Sequence, residues 1–403
     1  MAGFFIAEAV GATCNSRFPS SAVALNSQPQ HSEGHARRTG TGTMLSRSSL
    51  RLGKHHAIAR TFCTSHRRLA DYDSTIDSLR HINSNTRVIY QGESRGSLYE
   101  HEANATSNAK DTIGYGTKVV GGVSPGKGGQ THLDLPVFGT VKEVLNSQHT
   151  NSLANKQTRA FIDQPQAMEQ VDPHVSAVFV PAPFAARAII EAIEAEVPVI
   201  VSVAEHIPVH DLLRVQEVLR TQSRSRLVGP NCPGVIAPGQ CRVGIMPFRQ
   251  YARGCVGIVS KSGTLSYEAV GATTAAGLGQ SLVVAVGGDP MPGTTIVDSL
   301  RVLFEHEETE GVIVIGEIGG EQELRAAEMI REYRRSTPNP KPVVAMVAGQ
   351  TAPRGKVMGH AGAVLKPGDV TAAEKARALE DAGAVLVPHP GVMGSTMKAL
   401  LGR

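Results

Sequence analysis

The sequence predicts an α/β protein with mainly parallel sheets, and three observations predict it. Short runs that are apolar throughout recur along the chain, as in strands covered on both faces. Between them lie stretches whose apolar residues repeat with helical period. The alternation runs once, meets a segment punctuated by Pro233, Pro238 and Pro247, and starts again, which predicts two successive domains. The 403 residues are enough for two ordinary domains with some over. With aromatics at 4% and no Trp, the core has to be built from Val, Ile, Leu and Ala.

In the first series the strand candidates are 86–92 (TRVIYQG), 117–123 (TKVVGGV), 176–183 (SAVFVPAP), 197–205 (VPVIVSVAE) and 226–231 (RLVGPN). A helix over 185–196 places Ala186, Ile189, Ile190 and Ile193 on one face, and one over 210–222 does the same with Leu212, Val215 and Leu219. The second series predicts strands over 256–263, 280–289, 311–320, 341–349 and 383–390. Its helices are expected over 264–276, 294–306, 321–335 and 372–382. Two polar, Asn/Gln-rich stretches, 93–113 and 146–174, break the rhythm and are expected to be surface loops, the second an insertion between a helix and a strand.

Charge separates the first 70 residues from the rest. They carry nine Lys/Arg against two acids, whereas the remainder carries 31 against 34. Rich in Ser, Arg, Thr and His, with Leu45, Leu50, Leu52 and Ile58 set among basic residues, this leader reads as a mitochondrial presequence. A basic tail without an address and a start at Met44 are the alternatives. The expected organisation is therefore a presequence over 1–70 and domains over 71–235 and 236–403, working in the mitochondrial matrix. The near-neutral body gives no support for nucleic-acid binding. No apolar run reaches the roughly 18 residues a membrane span needs. Cys14, Cys63, Cys232, Cys241 and Cys255 form no CxxC pair and are odd in number, so reduced thiols are expected.

Several strand ends carry chemistry-bearing residues. In open α/β sheets ligands bind beyond the carboxyl ends of strands, where helix N-termini present free N–H groups. In VSKSGTLSYE a strand ends at Ser260 and a helix opens with Ser262 or Thr264 as cap, an arrangement that favours phosphate and that also suits a plain capped turn. Glu317 stands just past an uncharged strand among Gly316, Gly319 and Gly320. It is either a solvated helix-start residue or the partner of an imidazole N–H. His360 lies in GKVMGHAGAVLKPGD, a run of small residues where an imidazole is approached closely or moves rather than packs. Lys127 sits in a glycine loop that is not a Walker A motif, suited to a phosphate or to solvent. Cys232, in the Pro-flanked turn GPNCPG, is expected to line a cleft. No HExxH or spaced Cys/His set appears, so no metal site is expected.

Taken together, GGVSPGKGGQTHLDLPVF, VPAPFAARAIIEAIEAEVP, VGPNCPGVIAPGQC, VGIVSKSGTLSYEAV, GGDPMPGT, IGEIGG and GKVMGHAGA resemble the alpha subunits of succinyl-CoA synthetase (succinate–CoA ligase), from about residue 86 to about 385. The resemblance implies a Rossmann-like CoA-binding domain followed by a flavodoxin-like ligase domain, and a beta subunit partner in a heterodimer or heterotetramer. It also implies interconversion of succinyl-CoA, phosphate and a nucleoside diphosphate with succinate, CoA and a nucleoside triphosphate. Mg2+ is expected with the nucleotide on the beta subunit.

By the same resemblance His360 is phosphorylated and Glu317 orients it. Ser260, Ser262, Gly263 and Thr264 hold phosphate, Tyr267 meets the carboxylic acid, and Lys127, Val203, Ala204, Glu205 and Cys232 contact CoA. The family's first CoA loop, roughly Gly-Phe-Thr-Gly-x-Gln-Gly, falls on Ser94, Arg95, Gly96 and Ser97, where Glu93 would repel CoA phosphates and Arg95 attract them. Two alternatives follow: a non-catalytic CoA-binding subunit with an altered first loop, and a related ADP-forming acyl-CoA ligase. The members of that second group and ATP-citrate lyase usually carry further fused domains, which a chain ending with GVMGSTMKALLGR is not expected to have.

Overall fold

The computed structural model describes residues 72–92, 99–146 and 172–403. The expected presequence, the Ser94–Ser97 loop and most of the expected 146–174 insertion lie outside the described residues.

After a 3-10 turn over Thr75–His81 come β1 (Arg87–Gly92), α1 (Tyr99–Gly114), β2 (Lys118–Val123), β3 (Thr131–His132), β4 (Leu135–Phe138) and α2 (Val141–Asn146). They are followed by β5 (Val175–Phe179), α3 (Ala182–Glu194), β6 (Val199–Ser202), α4 (Val209–Arg220) and β7 (Arg226–Val228). The first sheet runs β3-β4-β2-β1-β5-β6-β7. All its ladders are parallel except β3–β4. Without the short β3 this is the 3-2-1-4-5-6 order of a Rossmann sheet, whose direction of winding reverses between β1 and β5.

The second series holds β8 (Gly234–Ala237), β9 (Cys241–Gly244), β10 (Arg253–Ser260), α5 (Gly263–Ala275), β11 (Gln280–Ala285), α6 (Ile296–Glu305) and β12 (Gly311–Glu317). It closes with α7 (Gln322–Ser336), β13 (Val343–Ala348), α8 (Ala372–Asp381), β14 (Val385–Leu386) and α9 (Met393–Leu400). Its sheet runs β14-β13-β12-β10-β11-β8-β9. The five strands β11-β10-β12-β13-β14 are parallel in flavodoxin order, with reversal between β10 and β12. The β8–β9 hairpin adds antiparallel to β11.

Fully buried strands account for the uninterrupted apolar runs: every residue of β5, β11 and β12 is buried. One apolar cluster continues from the first sheet to the second, through Val88, Val175 and Val228 to Val259, Leu300 and Val312.

The stretch 93–113, expected as a loop, is helical from Tyr99 onward as α1. Its buried face is made of the small residues Ala109 and Thr112, with Ala105 packed at the edge, so it lacks the large apolar repeat that marks an amphipathic helix. Tertiary contacts hold it instead. Thr112 Oγ1 meets Tyr90 Oη at 2.7 Å and accepts from Arg242 Nη1 at 2.6 Å.

Candidate active site

The two sheets bring their carboxyl ends toward one region, and the site lies at the reversal point of the second sheet. There β10 ends at Ser260 and β12 ends at Glu317, side by side in the sheet. Beyond Ser260 the chain turns into α5. Ser262 caps that helix, its Oγ accepting from Leu265 N at 3.4 Å, and Ser262 N donates to Ser260 Oγ at 3.1 Å. The first-turn amides of α5, at Gly263 and Thr264, have no carbonyl four residues back to bond within the helix.

His360 occupies the tip of a hairpin-like turn. Met358 N donates to Ala363 O at 2.9 Å, Val357 bridges Val364, and Gly355 N donates to Leu365 O at 2.8 Å. The turn is seated on the body by Gly362 N, which donates to Gly288 O at 2.9 Å. The imidazole rests against Gly288, where a Cβ would fall 2.6 Å from the ring's Nδ1. Close approach also shapes the run of small residues itself, since a Cβ at Gly362 would fall 2.8 Å from Gly288 O. Nδ1 meets Glu317 Oε2 at 2.8 Å, with the His360 side chain 24% exposed and Glu317 buried. Nε2 has no hydrogen-bond partner among the described residues. The Glu317 hydrogen bond, the largest cause, raises the His360 pKa above its ordinary value. Burial pulls the other way, the charges of Glu317 and Glu205 add to the rise, and that of Lys261 opposes it.

Glu317 is itself tethered through its backbone, while its second carboxylate oxygen is buried with no hydrogen-bond partner among the described residues. Its N–H donates to Glu323 Oε1 at 3.1 Å, and its carbonyl accepts from Lys375 Nζ at 2.8 Å. Its second carboxylate oxygen lies 3.5 Å from Lys261 Nζ. Lys261 also stands 3.6 Å from Glu323, and Lys375 donates to Glu323 Oε2 at 2.6 Å and to Gly319 O at 2.9 Å. Lys261, Glu323 and Lys375 are all buried, and the sequence reading did not single out any of them. A signal was present: Glu323 and Lys375 occupy core-facing positions of their helices, with Ala326, Ala327 and Ile330 on α7 and with Ala372 and Leu379 on α8.

The first sheet reaches the same place through backbone. Val203, Ala204 and Glu205 follow β6; Asn231 N donates to Ala204 O at 2.9 Å, and Gly288 N to Asn231 O at 3.1 Å. Gly288 in turn accepts from the His360 turn. Cys232 is buried, its Sγ 3.3 Å from Ser202 O, and burial pushes its thiol up to about 12. A thiol shifted in this direction disfavours the thiolate that a nucleophile needs. Tyr267, one turn into α5, faces Gly263 near Pro233; burial pushes its hydroxyl up to about 12. Lys127 lines a different cleft, with Tyr90, Gly92, Thr106 and His132. Among the described residues no group of three His, Cys, Asp or Glu forms a candidate metal site, and no helix is long and apolar enough to cross a membrane.

A Rossmann sheet and a flavodoxin-like sheet that converge on a carboxylate-bound imidazole define a two-part CoA ligase, and the chain matches both family models concerned. Residues 83–154 and 159–206 match the CoA binding domain, and 259–385 match the CoA-ligase. The succinate–CoA ligase [ADP-forming] subunit alpha of Staphylococcus epidermidis is 43% identical over 316 residues, 78% of this chain and 93% of that one. The same subunit of Staphylococcus aureus is 42% identical over the same shares. The chain belongs to the succinate–CoA ligase alpha-subunit family. Solved structures agree in fold. ATP citrate lyase of Methanosaeta concilii, in complex with (3S)-citryl-CoA, aligns with TM-score 0.62 at 22% identity, over 80% of this chain and 51% of the lyase. A dinucleotide-forming acetyl-coenzyme A synthetase of Ca. Korarchaeum cryptofilum aligns with TM-score 0.58 at 16% identity, over 81% of this chain and 62% of its own. This chain thus spans about half of the lyase and under two thirds of the synthetase.

Proposed function

We propose that this chain is the catalytic alpha subunit of a succinate–CoA ligase that works through a phosphorylated His360. The observation that carries the reading is the 2.8 Å hydrogen bond between His360 Nδ1 and Glu317 Oε2 at the reversal point of the second sheet. A carboxylate accepts only, so Nδ1 carries a proton, and in the neutral ring Nε2 keeps its lone pair. In the proposed sequence a phosphate oxygen attacks the thioester carbon of succinyl-CoA and CoA leaves as thiolate. The Nε2 lone pair then attacks phosphorus, the P–O bond to the acyl group breaks, and succinate departs as carboxylate. A terminal oxygen of a nucleoside diphosphate next attacks phosphorus and the N–P bond breaks, giving the triphosphate.

Ser260, Ser262, Gly263 and Thr264 are the proposed phosphate cradle, with the α5 N-terminus offsetting its charge. Tyr267, with its hydroxyl protonated, is proposed to donate to the succinate carboxylate. Ser94–Ser97, Lys127, Val203–Glu205 and Cys232 are proposed to contact CoA; the backbone path from Ala204 to the His360 turn supports placing the thioester end there. The nucleotide and its Mg2+ are assigned to a beta subunit, in a heterodimer or heterotetramer. The basic leader supports a mitochondrial matrix enzyme of the tricarboxylic acid cycle. We place the domain junction, expected at 235/236, in the turn just before β8, because Gly234 already belongs to the second sheet.

The test is incubation of the purified alpha–beta complex with nucleoside triphosphate labelled at the γ-phosphate. Acid-labile, base-stable label is expected on the wild-type chain and none on His360→Ala. A wild-type complex that takes up no label overturns this reading in favour of a non-catalytic CoA-binding subunit.

A further inference from the structure

Glu317 holds His360, and three buried ions hold Glu317. Glu323 from α7 accepts from its N–H, Lys375 from α8 donates to its carbonyl, and Lys261, just past β10, stands 3.5 Å from the carboxylate oxygen that has no hydrogen-bond partner among the described residues. Two of them act on backbone. Lys261 alone among them both approaches the carboxylate and acts as a positive charge on the ring. We propose that Lys261 is a positioning residue for phosphoryl transfer: its buried ammonium, 3.5 Å from the second oxygen of Glu317, steadies the carboxylate that orients His360 and offsets its charge beside the ring. The proposal rests on the reading of His360 as the phosphorylated residue.

The physical case is one of opposed charges in a buried setting. The carboxylate that orients the ring also favours the imidazolium, which has no lone pair to give. The charges acting on the ring are those of Glu317 and Lys261 from the second sheet and of Glu205, beyond β6. Asp289, after β11, is buried nearby, with His206 and His360 acting on it. Acids outnumber fixed cations around the imidazole, so without a counter-charge the orienting contact would inactivate the nucleophile. Lys261 is the cation placed to supply it, 3.5 Å from Glu317 and 3.6 Å from Glu323. Lys375 does not face the ring; its ammonium is spent on Glu317 O, Gly319 O and Glu323.

The experiment follows single-turnover phosphorylation of His360 by γ-labelled nucleoside triphosphate in the alpha–beta complex, from about pH 5.5 to about pH 9, the window of imidazole titration. The wild-type rate rises as the ring loses its proton. In Lys261→Met the rising limb moves to higher pH. The rate drops about 3–10-fold near pH 6.5 and stays within about 2-fold of wild type near pH 9, as expected when the fraction of free base is what changes. Lys261→Arg keeps the charge and returns the limb toward the wild-type position. If Lys261→Met does not fold, Lys261→Gln, which removes the charge and keeps a polar end, is expected to show the same displacement. A uniform loss at every pH, or an unmoved limb in the folded variant, overturns the proposal. A wild-type complex without label at any pH overturns the underlying reading instead, so the two failures are distinct.

Discussion

At the residue scale the site depends on what is absent at Gly288. Its backbone imposes no left-handed conformation; the space beside it is what matters, because the imidazole of His360 fills the volume that a side chain would take. Gly288→Ala must therefore push the ring off Glu317 while leaving the strand before it intact. A misplacement of about 1 Å costs on the order of 100-fold in rate. That loss is expected in single-turnover labelling of His360, with the far-ultraviolet spectrum unchanged; a rate within 2- to 3-fold (roughly) of wild type would show that the ring does not work from this position. The His360–Glu317 pair also predicts a pH dependence of stability. The folded pKa of His360 is raised, so its contribution is fully present below the ordinary imidazole value of about 6.5 and is lost as pH rises through the folded one. Denaturant unfolding of wild type and Glu317→Gln should accordingly differ more near pH 6 than near pH 8.5 (both approximate); an equal difference at both would remove the linkage.

At the scale of elements, α7 and α8 are locked by a buried ion pair rather than by apolar contact alone. Lys375 and Glu323 are each 0% exposed, with Nζ and Oε2 2.6 Å apart. Removing one partner strands the other, so Lys375→Met should cost about 3–5 kcal/mol in denaturant unfolding, and Lys375→Met/Glu323→Met should recover part of that loss. A cost below about 1 kcal/mol for the single variant would mean that the pair is not formed. These two helices also show where the sequence stops being readable. Their periodicity placed them within two residues of their observed ends, and Glu317 and His360 stood out because each interrupts an otherwise uncharged or small-residue run. Glu323 and Lys375 read as ordinary polar positions of charged helices, although each falls in register with the buried face. Lys261 sits in the turn 260–264, whose serines and glycine already account for a capped helix start. Helix α1 and the β8–β9 hairpin were missed for a related reason. Their residues are small, polar or rich in Pro and Gly, and partners distant in sequence stabilise them: Tyr90 and Arg242 for the helix, β11 for the hairpin. Local pattern reports burial against a generic core, whereas these elements are specified by particular contacts.

On the scale of the whole molecule the site needs its two sheets held in fixed relation, because the CoA-contacting loops proposed on one and the phosphohistidine proposed on the other act on a single acyl group. Arg226 is the joint that shows how this is done. It belongs to β7, the edge of the first sheet, and is 1% exposed. Its Nη1 donates to Gly293 O at 3.3 Å and lies 3.6 Å from Asp298 in the first turn of α6, so it grips the second half of the chain. Nη2 donates to Tyr72 O at 2.9 Å, the guanidinium stacks over the Tyr72 ring 4.1 Å from its centroid, and Tyr72 Oη donates to Gly293 O at 2.8 Å. One buried cation thus ties the start of the described chain to both sheets. Replacing it by Ala leaves Asp298 without its buried counter-charge and the carbonyls of Gly293 and Tyr72 each short of one donor, which should cost about 3–5 kcal/mol. Tyr72→Ala should lose less, and the two losses should be non-additive by about 1–2 kcal/mol in a double-mutant cycle. The distinguishing result is calorimetric. With the joint intact the sheets share one apolar cluster and should melt in one transition, whereas Arg226→Ala should broaden or split it. A single sharp transition at an unchanged temperature in that variant would mean that the shared core holds the two sheets together and that the clamp adds nothing.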